Sequence, residues 1–215
     1  MIIEARACAP FFKNGFVLGC EDTREAVIVD PGDETADLIA IVEQRRLTVR
    51  YILLTHAHVD HITGVGAAKR AFDVPVALHH ADLFLYDNVV EVGRMFGLRV
   101  ERQPPVDLFY EPGQQFAFGK HVVRPHHTPG HCPGGVCLQV GREGEPGGGQ
   151  DLFVGDTLFA GSIGRTDLPG GDHATLIASI KHVLFAFGDD ARVYPGHGPE
   201  TTIGHERRTN PFLQD

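Results

Sequence analysis

The residues with the clearest chemical meaning in this 215-residue sequence form one short run, Thr-His-Ala-His-Val-Asp-His, at positions 55–61. The run follows the apolar stretch 51–54, which has the composition of a buried strand. Imidazole and carboxylate groups are good ligands for divalent transition metals. Because a loop at the end of a strand would hold these groups near one point, the run predicts a metal site. Its candidate ligands are His56, His58, Asp60 and His61.

Three further candidate ligands lie downstream. Asp156 follows the apolar run 152–154, His197 follows the run 192–194, and His131 lies in a Pro-Gly-His-Cys-Pro-Gly turn. Since loops at the ends of neighbouring strands meet at one edge of a sheet, we expect these side chains to converge with the first four. Seven ligands exceed the four of a tetrahedral zinc site. They suit two metal ions roughly 3.5–4 Å apart.

The elements that must position these residues follow from the hydrophobic pattern. A strand, a ligand-bearing loop and a helix recur three or four times, which is typical of an α/β protein. Strands are predicted at residues 16–20, 26–29, 51–54, 74–78, 115–118, 121–123, 136–140, 152–154 and 192–194. Helices are predicted at residues 35–47, 63–72, 81–92 and 174–187.

Bulk properties exclude several classes of function. Hydrophobic residues make up 42% and charged residues 22% of the chain, as in an ordinary soluble globular protein. A formal net charge of -9 argues against a nucleic-acid partner. The apolar runs are too short for a membrane span, and no signal peptide is visible. The four cysteines contain no CxxC pair and predict reduced thiols in a cytoplasmic protein.

Five separated motifs occur in an order that resembles the metallo-β-lactamase-fold hydrolases, and within them the glyoxalase II-like (hydroxyacylglutathione hydrolase) branch. The motifs are the 55–61 run, Pro-Gly-His at 129–131, Gly-Asp-Thr-Leu-Phe at 155–159, Ser-Ile-Gly-Arg-Thr-Asp at 162–167 and Pro-Gly-His-Gly-Pro at 195–199. The tail 209–213, Thr-Asn-Pro-Phe-Leu, also resembles this branch. The resemblance implies an α/β fold, an αββα sandwich of two mixed β-sheets flanked by helices.

The resemblance also implies a division of the ligands between two metals. One metal would be held by His56, His58 and His131, and the other by Asp60, His61 and His197. The carboxylate of Asp156 would bridge the two.

The length of the chain bears on the substrate. Full-length glyoxalase II enzymes carry a helical C-terminal extension that helps to bind glutathione, whereas this sequence ends at Asp215. It therefore resembles the short branch, and we expect a single domain over residues 1–215 without that extension. Whether glutathione is the thiol carrier stays open, and so does the oligomeric state.

The expected activity is hydrolysis of a small-molecule thioester, with S-lactoylglutathione as the leading candidate. Two divalent ions per chain are expected, with zinc first and iron or manganese as alternatives. Asp60 is predicted to act catalytically together with metal-bound hydroxide, besides its role as a ligand. Arg165 and Tyr194 are candidate substrate contacts. A salt bridge for the first and a core position for the second are the competing interpretations.

Two other functions remain open on the ligand pattern. Persulfide dioxygenases share this fold and use one iron, which here would be held by His56, His131 and Asp156. A non-catalytic metal-binding scaffold is the third hypothesis. The number and identity of the bound metals distinguish the first two, and a thioester hydrolysis assay tests the third.

Overall fold

A computed structural model describes residues 1–144 and 149–214, and residues 145–148 and 215 of the predicted domain lie outside that description. The strands are β1 Ile2–Cys8, β2 Lys13–Gly19, β3 Glu25–Val29, β4 Thr48–Leu53, β5 Val76–Leu78, β6 Leu108–Phe109, β7 Phe116–Phe118, β8 His121–His127, β9 Val136–Arg142, β10 Asp151–Gly155, β11 Leu158–Phe159, β12 Ser162–Ile163, β13 Arg192–Pro195 and β14 Thr201–Thr202. The α-helices are α1 Thr35–Arg45, α2 Val59–Ile62, α3 Val65–Phe72, α4 Leu83–Asp87, α5 Val89–Met95, α6 His173–His182 and α7 Ile203–Thr209. Short 3₁₀ turns occupy His80–Asp82 and Leu184–Phe187.

The chain divides into two compact units. The N-terminal unit comprises Met1–Glu111 with Ala117–Lys120, and the C-terminal unit comprises Pro112–Phe116 with His121–Asp215. The single domain predicted for residues 1–215 stays a prediction.

The first sheet has the strand order β1-β2-β3-β4-β5-β6. Strands β1 to β3 pair antiparallel, whereas β3 to β6 pair parallel. Strand β3 is largely buried, and so are Ile52 and Leu53 at the end of β4, as expected for parallel strands covered on both faces. Helix α1 buries Leu38, Ile41 and Val42 along one side. Because β3 and β4 run in the same direction, the residues that follow them, Asp30 and Thr55, meet at one edge.

The second sheet has the order β14-β13-β10-β9-β8-β7. Strands β10 and β13 pair parallel, while β8, β9 and β10 pair antiparallel. Helix α6 contributes Leu176 and Ile180 to a core that also contains Leu152, Val154 and Val193. The parallel pair β10 and β13 brings the loops that follow these two strands to one edge of the sheet.

Every strand and helix predicted from the hydrophobic pattern overlaps an element of the structure. All four predicted helices are too long, those at 35–47 and 63–72 by two residues each and the other two by more. The helix predicted at 81–92 is divided into α4 and α5 at Asn88, whose side chain donates to the carbonyl of Phe84. The helix predicted at 174–187 ends at His182 and gives way to a 3₁₀ turn. Within the described parts of the chain, no helix has the length and apolar character needed to cross a bilayer.

Candidate metal centre

Four predicted ligands lie together in the N-terminal unit. The loop after β4 carries His56 and His58, and the single turn of α2 carries Asp60 and His61. The His56 ring lies 4.9 Å from the His58 ring and 4.0 Å from the His61 ring, measured between centroids. The Asp60 carboxylate lies 3.8 Å from Nε2 of His61. Three imidazoles and one carboxylate therefore lie side by side in this unit.

Asp30 orients this ligand loop from the end of β3. It is buried, and its φ of 48° places it in the left-handed region that ends the strand sharply. Its carboxylate accepts hydrogen bonds from the Thr55 amide at 2.6 Å, the Thr55 hydroxyl at 2.5 Å and Nδ1 of His61 at 2.9 Å. Since Nδ1 of His61 must carry the proton in this contact, its Nε2 keeps the lone pair that a metal requires.

The same carboxylate also determines, through Thr55, which nitrogen of His56 carries the proton. Because the Thr55 hydroxyl donates to Asp30, its oxygen is an acceptor for Nδ1 of His56, 3.1 Å away. His56 then also presents the lone pair of Nε2. Ligand atoms of Asp30, His56 and His61 all lie within 4.8 Å of one another. However, Asp30 already accepts three hydrogen bonds. We therefore assign it to orienting the predicted ligands and not to binding the metal itself.

A buried ion pair that the sequence analysis missed fixes the turn around Asp30. The Lys13 ammonium donates to the backbone carbonyl of Asp30 and lies 2.6 Å from Oε1 of Glu34. Both side chains are only 2% exposed, and the same Glu34 oxygen accepts the amide of Gly32 at 2.9 Å. No sequence signal identifies this pair, because Lys13 begins an ordinary strand and Glu34 precedes an ordinary helix.

A second buried carboxylate supports the ligand loop between its first two histidines. Asp82 is fully buried, and its Oδ2 accepts the amide of Ala57 at 3.1 Å. No sequence signal marks Asp82 either, since an aspartate directly before helix α4 is an ordinary helix-start residue.

The remaining three predicted ligands lie together in the C-terminal unit. Oδ2 of Asp156, just after β10, lies 3.7 Å from Nε2 of His131 and 3.5 Å from Nε2 of His197. Nδ1 of His131 donates to the carbonyl of Arg165 at 2.8 Å. This contact again leaves the Nε2 lone pair available, on the side facing Asp156.

Helix α6 positions the turn that carries His131. The Asp172 amide donates to the carbonyl of Gly130 at 2.8 Å, and the Ser179 hydroxyl donates to the carbonyl of Pro129 at 2.7 Å. Gly130 has a φ of 130°, and a Cβ at this position would lie 2.2 Å from the backbone nitrogen of Leu176. Only glycine allows the turn to approach the helix so closely.

The two predicted substrate contacts lie in different environments. Arg165 and Asp167 form an exposed two-point ion pair with both N–O distances 2.7 Å, and hydrogen bonding to Arg165 lowers the pKa of Asp167 to about 2. Tyr194 is 8% exposed and stacks on Phe153 at a centroid distance of 4.7 Å. Burial raises the pKa of Tyr194 to about 12. A substrate-binding role for Arg165 and Tyr194 stays a prediction.

The four cysteines are thiols, as the sequence analysis predicted. Cys132, next to His131, is fully buried, and burial raises the pKa of the Cys137 thiol. The donors gathered in each unit are therefore imidazole nitrogens and carboxylate oxygens. This donor set fits divalent zinc, iron or manganese.

The sequence matches the family model of the metallo-β-lactamase superfamily over residues 9–197. The chain belongs to the metallo-β-lactamase superfamily. One curated relative is the hydroxyacylglutathione hydrolase GloC of Haemophilus influenzae, which is 37% identical over 204 residues. The match covers 94% of this chain and 93% of the relative. The family model and this relative together identify the chain as a metallo-hydrolase and confirm the family resemblance of its motifs.

Solved structures confirm the predicted metallo-β-lactamase fold, with two mixed sheets and flanking helices. The B3 metallo-β-lactamase BLEG-1 is 38% identical, with a TM-score of 0.89 and complete coverage of both chains. TTHA1623, crystallised in a di-iron-bound form, is 41% identical with a TM-score of 0.85, covering 98% of this chain and 100% of its own.

Proposed function

We propose that the ligands of the two units bind one pair of divalent metal ions. His56, His58 and His131 would hold the first ion, and the second would be held by the set Asp60, His61 and His197. Asp156 would bridge the two ions. Support comes from the family model, which spans both ligand sets, and from the hydrogen bonds that leave the Nε2 lone pairs of three imidazoles available.

Zinc is the metal we propose first, with iron or manganese as alternatives for the same nitrogen and oxygen donors. The relative TTHA1623 supports a count of two, because it was crystallised in a di-iron-bound form. The same observation makes iron the strongest competitor of zinc.

We further propose that the enzyme hydrolyses a thioester, with a hydroxyacylglutathione such as S-lactoylglutathione as the leading substrate. The observation that carries this proposal is the end-to-end match to hydroxyacylglutathione hydrolase GloC, 93% of which is covered. The superfamily supports hydrolysis in general, and this relative supports the thioester class.

The chain contributes orientation and charge to this reaction. Bound divalent metal supplies Lewis acidity and lowers the pKa of coordinated water. Asp60, partly exposed beside His61, would orient the attacking water by accepting a hydrogen bond from it. Arg165, exposed beside Asp167, would contact an anionic part of the substrate. A thiolate is a good leaving group, so the mechanism assigns no residue as a general acid.

Elemental analysis combined with an S-lactoylglutathione assay tests this proposal. We expect two metal ions per chain and thioester hydrolysis that is lost on chelation and restored by zinc. His58→Ala should empty one metal position and lower turnover about 100-fold or more, because metal polarisation is worth several kcal/mol. His182→Ala, which removes an exposed imidazole at the end of α6, is the matched control and should match the wild type.

Three results would contradict the proposal. A single iron per chain with oxygen consumption on glutathione persulfide would favour the dioxygenase. Absence of turnover with every thioester tested would favour a scaffold. Normal turnover of the His58→Ala variant would exclude the two-metal mechanism.

A further inference from the structure

One short segment of the C-terminal unit lies against all three of its proposed ligands. Residues 157–165, which we call the ligand hairpin, contain β11, β12 and the residues around them. The carbonyl of Arg165 accepts from His131, and the Phe159 ring lies edge-on to the His197 ring at a centroid distance of 6.2 Å. The hairpin therefore borders two imidazoles directly.

The same hairpin packs against the third ligand through a glycine. A Cβ on Gly164 would lie 1.9 Å from the backbone oxygen of Asp156 and 3.1 Å from Nδ1 of His131. At this approach, a small displacement of the hairpin would be transmitted to both ligands. The position of all three proposed ligands is thus tied to the position of residues 157–165.

A buried carboxylate of helix α7 holds the tip of this hairpin. Glu206 is fully buried, and its Oε2 accepts the amide of Gly161 at 2.9 Å. Its Oε1 accepts the hydroxyl of Thr201 at 2.6 Å. Gly161 has a φ of 71° and forms the turn between β11 and β12, so the carboxylate acts at the point where the hairpin reverses direction.

Asn210, just beyond α7, completes the attachment. It is also fully buried, and its amide donates to the carbonyl of Ser162 at 2.9 Å and to Oε2 of Glu206 at 2.8 Å. The hairpin is therefore held through two successive backbone groups, one amide and one carbonyl. Asn210 belongs to the Thr-Asn-Pro-Phe-Leu tail, which resembles the glyoxalase II-like branch. The proposed reaction assigns no role to any residue of this tail.

Good packing alone does not explain why a carboxylate is buried at position 206. The donors to the buried Glu206 carboxylate, from Gly161, Thr201 and Asn210, are all neutral groups. Burying a carboxylate among neutral groups is expensive, and an apolar side chain of similar volume would pack without that penalty. What the carboxylate and amide supply is direction, since each hydrogen bond fixes a particular backbone atom of the hairpin.

We propose that Glu206 and Asn210 are positioning residues for the metal centre. They act through the ligand hairpin, which sets the Nδ1 proton of His131 and borders Asp156 and His197. The inference rests on the proposed function, because it takes these three side chains to be metal ligands.

Binding of cobalt(II) to the metal-free full-length protein tests this inference without an activity assay. Dissociation constants would be measured by competition with a chelator, together with the visible absorption spectrum of the cobalt form. Glu206→Gln replaces one acceptor oxygen with a donor amide at nearly constant volume. We expect about tenfold weaker binding of at least one cobalt ion, together with altered visible absorption bands. A tenfold loss is the lower end of the roughly 10- to 100-fold range typical when a residue that supports a metal ligand is replaced.

Asp189→Asn is the matched control. Asp189 is exposed and pairs with Arg207 and Arg208 of helix α7, at 3.5 and 3.0 Å. The substitution weakens the attachment of α7 but leaves the contacts of Glu206 with the hairpin in place. We expect wild-type cobalt affinity and an unchanged spectrum for this variant.

The outcomes separate this inference from the proposed function. Wild-type protein that binds no cobalt would contradict both. Wild-type protein that binds two cobalt ions, with an equally tight and spectrally identical Glu206→Gln variant, would overturn only the positioning role. An equal loss in Asp189→Asn would also overturn it. If Glu206→Gln does not fold, Asn210→Ser is measured instead, with a loss of the same sign expected; failure of both to fold assigns the residues a purely structural role and overturns the proposal.

Discussion

A single carboxylate, Asp30, determines the protonation pattern of two imidazoles in the N-terminal unit. It accepts directly from His61, and it orients the Thr55 hydroxyl that accepts from His56. A metal ligand needs a neutral imidazole with its lone pair on the correct nitrogen. Asp30 therefore fixes both rings in the tautomer that a metal ion would require.

Replacing Asp30 with asparagine tests this arrangement. The amide group would place a donor where Thr55 or His61 also donates, so the tautomer of at least one imidazole would no longer be fixed. We expect zinc affinity to fall roughly 10- to 100-fold. We also expect the free energy of unfolding of the metal-free protein to fall by about 1–3 kcal/mol, measured by urea denaturation.

Asp33→Asn is the control for this prediction. Asp33 lies in the same loop but is exposed, and its carboxylate accepts a hydrogen bond from the Thr63 hydroxyl at 2.7 Å. Its zinc affinity should match the wild type. Wild-type zinc affinity in the Asp30→Asn variant would show that the carboxylate does not prepare the ligands.

At the residue scale, the ligand candidates could be predicted because they cluster in recognisable runs at the ends of apolar strands. The supporting residues Lys13, Glu34, Asp82 and Glu206 could not. Each reaches its partner across the fold, as Lys13 does across 17 residues to Asp30. The sequence around each one fits an ordinary strand or helix end, so the pattern contains no information about the contact.

Among the secondary-structure elements, helix α6 supports a proposed ligand that it does not itself carry, through the turn that contains His131. Its first turns approach the Pro129–Gly130 peptide so closely that a side chain at Gly130 would meet the helix backbone. The helix and the turn are thus packed as one piece, and the position of His131 depends on that packing.

Gly130→Ala should therefore be strongly destabilising. The added Cβ would lie 2.2 Å from the nitrogen of Leu176, and a φ of 130° is itself unfavourable for alanine. We expect the free energy of unfolding to fall by about 3 kcal/mol or more, since backbone strain and overpacking each cost about 1–3 kcal/mol.

Gly188→Ala isolates the conformational part of that cost. Gly188 has a φ of 88°, but a Cβ there would meet no atom within 4 Å. Its destabilisation, measured by the same urea denaturation, should be clearly smaller than that of Gly130→Ala. Equal losses in the two variants would show that contact with α6 is unimportant.

Elements such as β4, β10, α1 and α6 could be predicted because each has its own signal, a continuous apolar run or a helical period. The seven-residue elements β1 and α7 were not predicted. The strands β11, β12 and β14 have two residues each, too few to show a period. Their conformation depends on tertiary contacts such as that between Gly161 and Glu206, which no local pattern reveals.

For the whole molecule, the central feature is that the proposed ligands are divided between two compact units. The N-terminal unit holds four and the C-terminal unit holds three. Neither set alone completes two metal sites, so the proposed function requires both. Two divalent ions would also offset part of a net charge of -9.

X-ray absorption spectroscopy at the zinc edge, on protein loaded to saturation with zinc, tests this claim most directly. A shared pair of ions predicts two zinc ions per chain, nitrogen and oxygen ligands, and a zinc–zinc distance of roughly 3.5–4 Å. Saturation at one zinc per chain, or two zinc ions without a zinc–zinc distance in that range, would contradict a dinuclear centre built from both ligand sets.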